Sequence, residues 1–311
     1  MLVSETAGIF SHDLQKEGKP VRTRGDLLTG YLFVLPVAVS LTVFLIGPIF
    51  YAFYISFHEF SFLAPDQATW VGLENYVKLF HDPRFLKAVA NTSFYSLGVV
   101  PVQICIALLL ALIVDSKIKG KTFFRVVYFL PTVTSTVAVS VMFLYLFKND
   151  GIVNLLLSKL GIPTVDWFNS IHFALPATMM MAIWTTVGQF MVIYLAGLQD
   201  IPNELYEAAE VDGATPWQKL RFITWPMLRP TTFFVLIMSI IGTFQVFDQM
   251  YVISKGEGGP QDATLTVVFY LYRAAFKDFN MGYASAMAFV LFLIILALTL
   301  IQKKFFKEET A

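Results

Sequence analysis

The chain has 311 residues, of which 57% are apolar and 14% charged, and 22 basic and 22 acidic residues leave no formal net charge. This composition is too apolar for an ordinary soluble domain, and the lack of a basic excess argues against nucleic acid as a partner. The single cysteine, Cys105, cannot form an internal disulfide and is expected to pack inside an apolar segment.

Six long, nearly uncharged segments follow one another along the chain. Each reaches or exceeds the roughly 20 residues that a helix needs to cross about 30 Å of hydrocarbon. Backbone groups in lipid must bond within their own segment, so we predict an all-α integral membrane protein with six transmembrane helices, multi-pass in the lipid bilayer. The predicted spans are residues 28–57, 90–114, 126–147, 173–198, 231–250 and 280–302.

The lysines and arginines predict the orientation, because cytoplasmic loops carry an excess of them. Most cluster at 16–24, 117–125, 219–229 and 303–307. Both termini are therefore predicted to be cytoplasmic, with a tail over 1–27, a six-helix domain over 28–303 and a tail over 304–311. The first span is expected to remain in the protein, since its uncharged run exceeds the core of about 7–15 residues of a cleaved signal peptide.

Two shorter segments are expected on the outer side. Residues 73–80 have the length and pattern of a short helix. Residues 263–272 are apolar but too few to cross the membrane, which predicts an interfacial or re-entrant helix.

The loop over residues 200–226 has the pattern of a helix followed by a corner. Pro202 is suited to a first helical position, and Glu204 and Glu207 place negative charge near the positive end of the helix. Asp212-Gly213 is expected to end it, because glycine accepts the left-handed conformation of a C-terminal cap. A small apolar face is predicted from Leu205, Ala208 and Ala209.

A second helix is predicted directly after this corner. Thr215 can cap it, with Pro216 at the first position and Gln218 as the capping-box partner. Pro226 and Pro230 are expected to break the chain before the next span.

The same loop resembles the cytoplasmic loop signature of permease subunits in binding-protein-dependent ABC importers. The matching residues are Glu207-Ala208-Ala209, Asp212-Gly213-Ala214, Ile223 and Pro226. Further segments resemble the carbohydrate-uptake branch, of maltose and glycerol-3-phosphate type, and its first permease subunit. They are residues 71–76, 129–131, 244–248 with Tyr251, and 258–260. Trp225 departs from the leucine more common at that position.

The resemblance implies a type I ABC importer permease architecture in the plasma (inner) membrane of a bacterium or archaeon. It implies a second, different permease as partner, two ATP-binding subunits, and an extracytoplasmic solute-binding protein that delivers a carbohydrate: an oligosaccharide, a sugar or a glycerol phosphate. The 200–226 loop would be the coupling loop inserted into an ATPase subunit, with Glu207 paired to a cation there or capping locally. A loop that merely caps the bundle is the alternative. An ABC permease for a non-sugar solute and a secondary transporter are the alternative functions.

Catalytic chemistry is not expected on this chain. Gly120-Lys121-Thr122 resembles the end of a phosphate-binding loop, but Asp115 stands where that motif requires its first glycine. The four histidines are scattered without metal-ligand spacing. We therefore predict a transporter subunit that is not an enzyme, without metal or cofactor, whose ATP and Mg²⁺ are bound by the partner ATPase.

Polar and aromatic residues within the spans are candidates for the substrate pathway. Intramembrane polar groups are unfavourable unless they face a partner or a water-filled cavity. Gln245 and Asp248 are three residues apart and would share a helical face. The candidates are Gln189, Trp184, Tyr194, Gln245 and Asp248. Hydrogen bonding between helices, or contact with a partner subunit, is the alternative.

Overall fold

The computed structural model describes residues 24–116 and 119–308. The first 23 residues of the predicted N-terminal tail and residues 309–311 of the C-terminal tail therefore lie outside the described residues. The chain divides into two compact units, Met1–Tyr54 and Ile55–Ala311.

The described part of the first unit is helical. Helix α1 covers Arg24–Leu41, a π-helical turn covers Thr42–Ile46, and α2 covers Gly47–Ile55. Together, Tyr31–Ile55 are long and apolar enough to cross a membrane, in agreement with the first predicted span. Their exposed side chains are largely apolar, as contact with lipid requires.

The second unit is mostly helical, with one pair of short antiparallel strands in which His58 lies opposite Trp70. In chain order it contains β1 His58–Glu59, β2 Thr69–Trp70, α3 Glu74–His81, α4 Pro83–Asp115, α5 Lys121–Val133, α6 Thr136–Leu146, α7 Ile152–Lys159, α8 Ala174–Gln199, α9 Asn203–Val211, α10 Pro216–Lys219, α11 Trp225–Met227, α12 Arg229–Phe244, α13 Asp248–Ile253, α14 Val267–Phe276 and α15 Met281–Glu308.

Four further predicted spans are confirmed as long apolar helical segments: α4, α8, Arg229–Ile253 and Met281–Phe306. Helix α8 packs against α4 and α5, and α12 packs against α4. The approach of α8 to α5 is close, since a side chain at Gly188 would collide with the carbonyl oxygen of Tyr128. The prediction that Cys105 packs inside its span is wrong, because it is exposed on α4.

The predicted span over 126–147 is formed by two helices, α5 and α6, that together are long and apolar enough for one span. Helices α5 and α6 meet at an angle of 97°, and the bend lies where Thr134 is extended (φ −82°, ψ 143°). Pro131 lacks the N–H that an unbroken helix uses, which weakens the last turn of α5. Thr132 Oγ1 bonds to the Thr185 carbonyl of α8 at 2.8 Å, so this turn is held by its neighbour.

The two shorter predicted helices are present. The helix expected near 73–80 is α3, and the apolar run over 263–272 forms α14, which begins four residues later than the run. Helix α14 is packed into the protein, because Phe269, Ala274 and other side chains are buried and it contacts α4 and α15; its interfacial or re-entrant position stays a prediction. Thr92 Oγ1 accepts a bond from the Val267 N–H at 3.1 Å and fixes its start.

A network of charged and phenolic groups joins the start of α4 to the segments around α14 and α15. We call it the outer network, after the side of the membrane on which the sequence predicts it: Asp82, Arg84, Asp262, Tyr270 and Tyr283. Both tyrosine hydroxyls donate to Asp82 Oδ2 at 2.6 Å, and Arg84 forms two bonds with Asp262, at 2.7 and 3.0 Å. Burial would raise the pKa of the Asp82 carboxyl, but bonds from the two tyrosines and the backbone hold that pKa below its ordinary value.

Candidate coupling loop and polar cleft

The corner of the 200–226 loop has the predicted backbone. Helix α9 begins at Asn203, one residue later than expected, and Pro202 precedes it as the cap residue. Gly213 has φ +75°, the left-handed region that favours glycine. The N–H of Gly213 bonds to the Glu210 carbonyl at 3.1 Å, and the next N–H bonds to that of Ala209 at 2.8 Å. The corner is therefore a glycine cap of α9.

The second helix starts with the predicted capping box. The Thr215 N–H donates to Gln218 Oε1 at 2.7 Å, and the Gln218 N–H donates to Thr215 Oγ1 at 3.4 Å. Helix α10 has only four residues and continues into a π-helical turn, Leu220–Thr224. The expected break before the next span is present at Leu228, between α11 and α12. Pro226 and Pro230 flank it, each as the second residue of a helix, where a missing N–H is tolerated.

Two side-chain contacts hold α9 against the segment that follows the corner. Lys219 Nζ lies 2.6 Å from Glu210 Oε1. The Tyr206 and Thr224 hydroxyls lie 2.9 Å apart. Tyr206 and Ile223 also pack against the buried cluster at the ends of α8 and α12, so the loop is attached to the spans through its inner face.

The outward surface of the loop carries the residues that the signature singles out. Glu207, Ala208, Asp212 and Gly213 are exposed, whereas Ala209, Ala214, Ile223 and Pro226 are half-buried. Large apolar side chains are exposed beside them, notably Val211 and Trp217. The structure therefore gathers the predicted coupling residues on one compact element, whose exposed surface combines two small residues, Ala208 and Gly213, with acidic and large apolar side chains.

A polar cleft of about 240 Å³ lies between α4, α8, α12 and α13. Thr186 Oγ1 of α8 donates to Gln103 Oε1 of α4 at 2.8 Å. The Tyr95 hydroxyl of α4 donates to Gln249 Oε1 of α13 at 3.1 Å. Among the described residues that line it, hydroxyls and amides provide the polarity and none carries a charge. Such groups both donate and accept, which suits a neutral, hydroxyl-rich ligand.

The structure separates the five predicted pathway residues. Gln189 lines the polar cleft. Trp184 instead lines an apolar groove of about 590 Å³ between α4, α5 and α8, and Tyr194 is fully buried in the core. Gln245 and Asp248 are exposed beside the cleft. They do not share a helical face, because α12 ends at Phe244 and α13 starts at Asp248.

Sequence reasoning missed much of the lining of this cleft. Gln249, Thr186 and Thr243 line it and were not among the candidates. For Thr186 the signal was present, since it lies three residues before Gln189 and therefore on the same face of α8. For Gln249 it was not, because the break after α12 changes which residues of the next turn face the cleft.

Comparison with known proteins places the chain among membrane transporters. Residues 103–308 match the family described as "Binding-protein-dependent transport system inner membrane component". The probable ABC transporter permease protein YesP of Bacillus subtilis is 38% identical over 293 residues, 93% of each chain. The arabinooligosaccharides transport system permease protein AraP of the same organism is 37% identical, over 88% of this chain and 87% of AraP.

A solved structure agrees with this relationship. The crystal structure of a bacterial ABC transporter involved in the import of the acidic polysaccharide alginate matches with a TM-score of 0.79 and 25% identity, over 92% of this chain and 97% of that chain. The predicted type I ABC importer permease fold is thereby confirmed. The chain belongs to the family of inner membrane components of binding-protein-dependent transport systems, the permease subunits of ABC importers.

Proposed function

We propose that this chain and a second permease subunit form the pathway through which an ATP-driven importer carries a carbohydrate delivered by a solute-binding protein. The observation that carries the proposal is the 37% identity with an arabinooligosaccharide permease along most of both chains. The polar cleft supports it, since its amide and hydroxyl groups can donate hydrogen bonds to sugar hydroxyls and accept hydrogen bonds from them as the sugar passes.

The 200–226 loop is proposed as the contact with a cytoplasmic ATPase subunit, which binds the ATP and Mg²⁺. Its exposed surface of Glu207 and Ala208 allows a partner to approach closely. Its inner face is packed onto the ends of α8 and α12, so movement of the loop would be passed to those spans. Closure of two ATPase subunits would then select between two packings of the helices.

Uptake by the reconstituted complex tests the carbohydrate proposal. The chain is purified with its partner permease, two ATPase subunits and binding protein, and proteoliposomes are offered labelled arabino-oligosaccharides, maltodextrins, lactose, glycerol 3-phosphate and amino acids. ATP-dependent uptake of a carbohydrate or of glycerol 3-phosphate is expected. Uptake of amino acids alone would favour a permease for a non-sugar solute. Uptake by this chain alone, driven by an ion gradient, would favour a secondary transporter.

Single amide substitutions test the pathway. Gln189→Ala removes a group that lines the cleft, and Gln245→Ala removes one beside it. Losing a hydrogen bond worth about 1 kcal/mol should change the uptake rate or the sugar preference about fivefold. Gln199→Ala, on the same helix as Gln189 but exposed outside the cleft, serves as the control. Unchanged rates and preferences for both would assign these glutamines to packing.

A further inference from the structure

A further pocket, of about 540 Å³, lies at the predicted outer ends of α6 and α13 and is lined on one side by Asp166, Phe168 and Asn169. Its polar and aromatic lining includes Tyr145, Lys148, Asn149, Asp166, Asn169 and Lys255. It shares no lining residue with the polar cleft. We call it the outer pocket.

One buried amide fixes the wall of the outer pocket. Asn154, 1% exposed, donates from Nδ2 to the carbonyls of Lys148 and Val165 at 3.1 and 2.9 Å. Its Oδ1 accepts from the Val165 N–H at 3.0 Å and from Trp167 Nε1 at 3.2 Å. These bonds hold the residues on both sides of Asp166. The wall is therefore formed before any ligand arrives.

The groups held there are those that recognise hydroxyls and rings. Asn169 Nδ2 donates to both oxygens of Asp166, at 3.0 and 3.2 Å, which orients a carboxylate that still has lone pairs to accept hydroxyl groups. Tyr145, 71% exposed, offers a ring face. A carboxylate, an amide and a ring face in one concave site fit a sugar unit.

Lys255 is placed in this pocket by an unfavourable backbone conformation. Its φ is +54°, and its N–H and that of Gly256 bond back to Val252 and Tyr251, at 3.2 and 2.8 Å, as a left-handed helix cap. Glycine is preferred in such a cap because other residues are strained there. The lysine side chain is present despite that strain, and it lines the pocket.

Helix α13 connects the two sites. Gln249, near its start, lines the polar cleft, and Lys255, just beyond its end, lines the outer pocket. A helical rise of 1.5 Å per residue separates the two positions by about 9 Å along the axis. An oligosaccharide of several units is long enough to contact both.

We propose that the outer pocket is a subsite for the trailing units of an oligosaccharide whose leading unit occupies the polar cleft, an inference that rests on the proposed function. Its test uses the complete reconstituted importer with saturating binding protein. The probes are the shortest and the longest arabino-oligosaccharide or maltodextrin that the unaltered complex takes up. The variants are Asp166→Ala and Lys255→Gly, and Asp66→Ala is the control, an exposed acid that does not line the pocket.

Both variants should lower uptake of the longest probe about fivefold and leave that of the shortest within about twofold, because only the longer ligand loses bonds there. Lys255→Gly relieves the strained cap, so a loss in that variant cannot come from misfolding. An equal loss for both lengths, together with lost stimulation of ATPase activity by loaded binding protein, would make the pocket a docking surface for that protein and overturn the inference. Unchanged uptake of the longest probe by both variants would also overturn the inference.

The same experiment distinguishes a failure of the proposed function from a failure of the subsite inference. If the unaltered complex takes up no carbohydrate, the proposed function is wrong and the subsite is wrong with it. If it takes up only monosaccharides or disaccharides, the proposed function stands and the subsite alone is wrong.

Discussion

The 200–226 loop and the outer network are both polar structures at the ends of spans, but they are bonded in opposite ways. In the loop, the described side-chain bonds join residues from 3 to 18 positions apart. In the outer network, the bonds between two side chains join residues from 178 to 201 positions apart, beside one local bond from the Arg84 N–H to Asp82. The loop is thus shaped mainly by local bonds, whereas the outer network ties distant segments of one chain together.

Because of this difference, we expect the outer network to contribute to the stability of the protein and the loop to contribute to transport. The ionic groups of the outer network find partners inside the chain, so changing them should alter stability. The loop is shaped by its own bonds while Glu207 and Ala208 remain exposed, so changing its surface should alter contact with another subunit. The largest expected effects on transport therefore lie in the loop.

The corner glycine should be the most sensitive position. Gly213→Pro forces φ from +75° to about −65° and removes the N–H bond to Glu210, a change that costs about 3 kcal/mol or more in a helical setting. We expect ATP-coupled uptake to be abolished while the protein stays in the membrane, as measured in vesicles with a membrane-fraction blot. Gly120→Pro, at another left-handed glycine (φ +81°) outside the loop, is the control. Equal loss in both would show that the corner has no special role.

Charge reversal at the loop surface should come next. Glu207→Lys leaves α9 exposed and helical but replaces the proposed ion pair with the ATPase by repulsion, a difference of about 1.5–3 kcal/mol, or about tenfold or more in coupled uptake. Co-purification of the ATPase and its stimulation by loaded binding protein should fall with it. Glu204→Lys, one turn earlier and equally exposed, should retain both. Normal coupling in Glu207→Lys would contradict the contact.

The two regions also differ in how far the sequence predicted them. The loop follows from local rules, since Gly213 and Thr215 act on neighbours three to five residues away. The outer network depends on contacts such as Tyr283 with Asp82, which no local pattern encodes. The bend after Pro131 and the cleft position of Gln249 were missed because each depends on a break between two helices, after α5 and after α12, that the prediction of uninterrupted spans did not include. Long apolar segments, by contrast, were predicted correctly since lipid alone dictates them.

Breaking the outer network should lower stability rather than coupling. Asp82→Asn removes a carboxylate that accepts two tyrosine hydroxyls, charge-assisted bonds worth about 1.5–3 kcal/mol. The melting temperature of the detergent-purified protein should fall by a few degrees, and uptake should stay within about twofold of normal. Asp66→Asn, which changes an exposed acid, is the control and should change neither the melting temperature nor uptake. A loss of uptake at an unchanged melting temperature would mean that the outer network acts in transport and not in stability.

The same carboxylate predicts a pH dependence. The folded pKa of Asp82 lies below its ordinary value, so its stabilising effect is fully present above the unfolded value of about 3.9 and is lost as pH falls through the folded pKa. The difference in melting temperature between wild type and Asp82→Asn should therefore stay constant from about pH 6 to 8 and shrink only below about pH 4. A difference that already shrinks at neutral pH would mean that another group is responsible.

The smallest effect is expected from the bond that fixes the angle of the loop. Tyr206→Phe removes one hydroxyl bond to Thr224, worth about 0.5–1 kcal/mol, so coupled uptake should fall about two- to fivefold. Thr224→Val removes the same bond from the other side, and the double variant should lose little more than either single one, because the two changes share one interaction. Tyr76→Phe removes a comparable hydroxyl bond, to Ser56, at the predicted outer side. Fully additive losses in the double variant would mean that the two hydroxyls act separately and that the bond between them does not hold the loop.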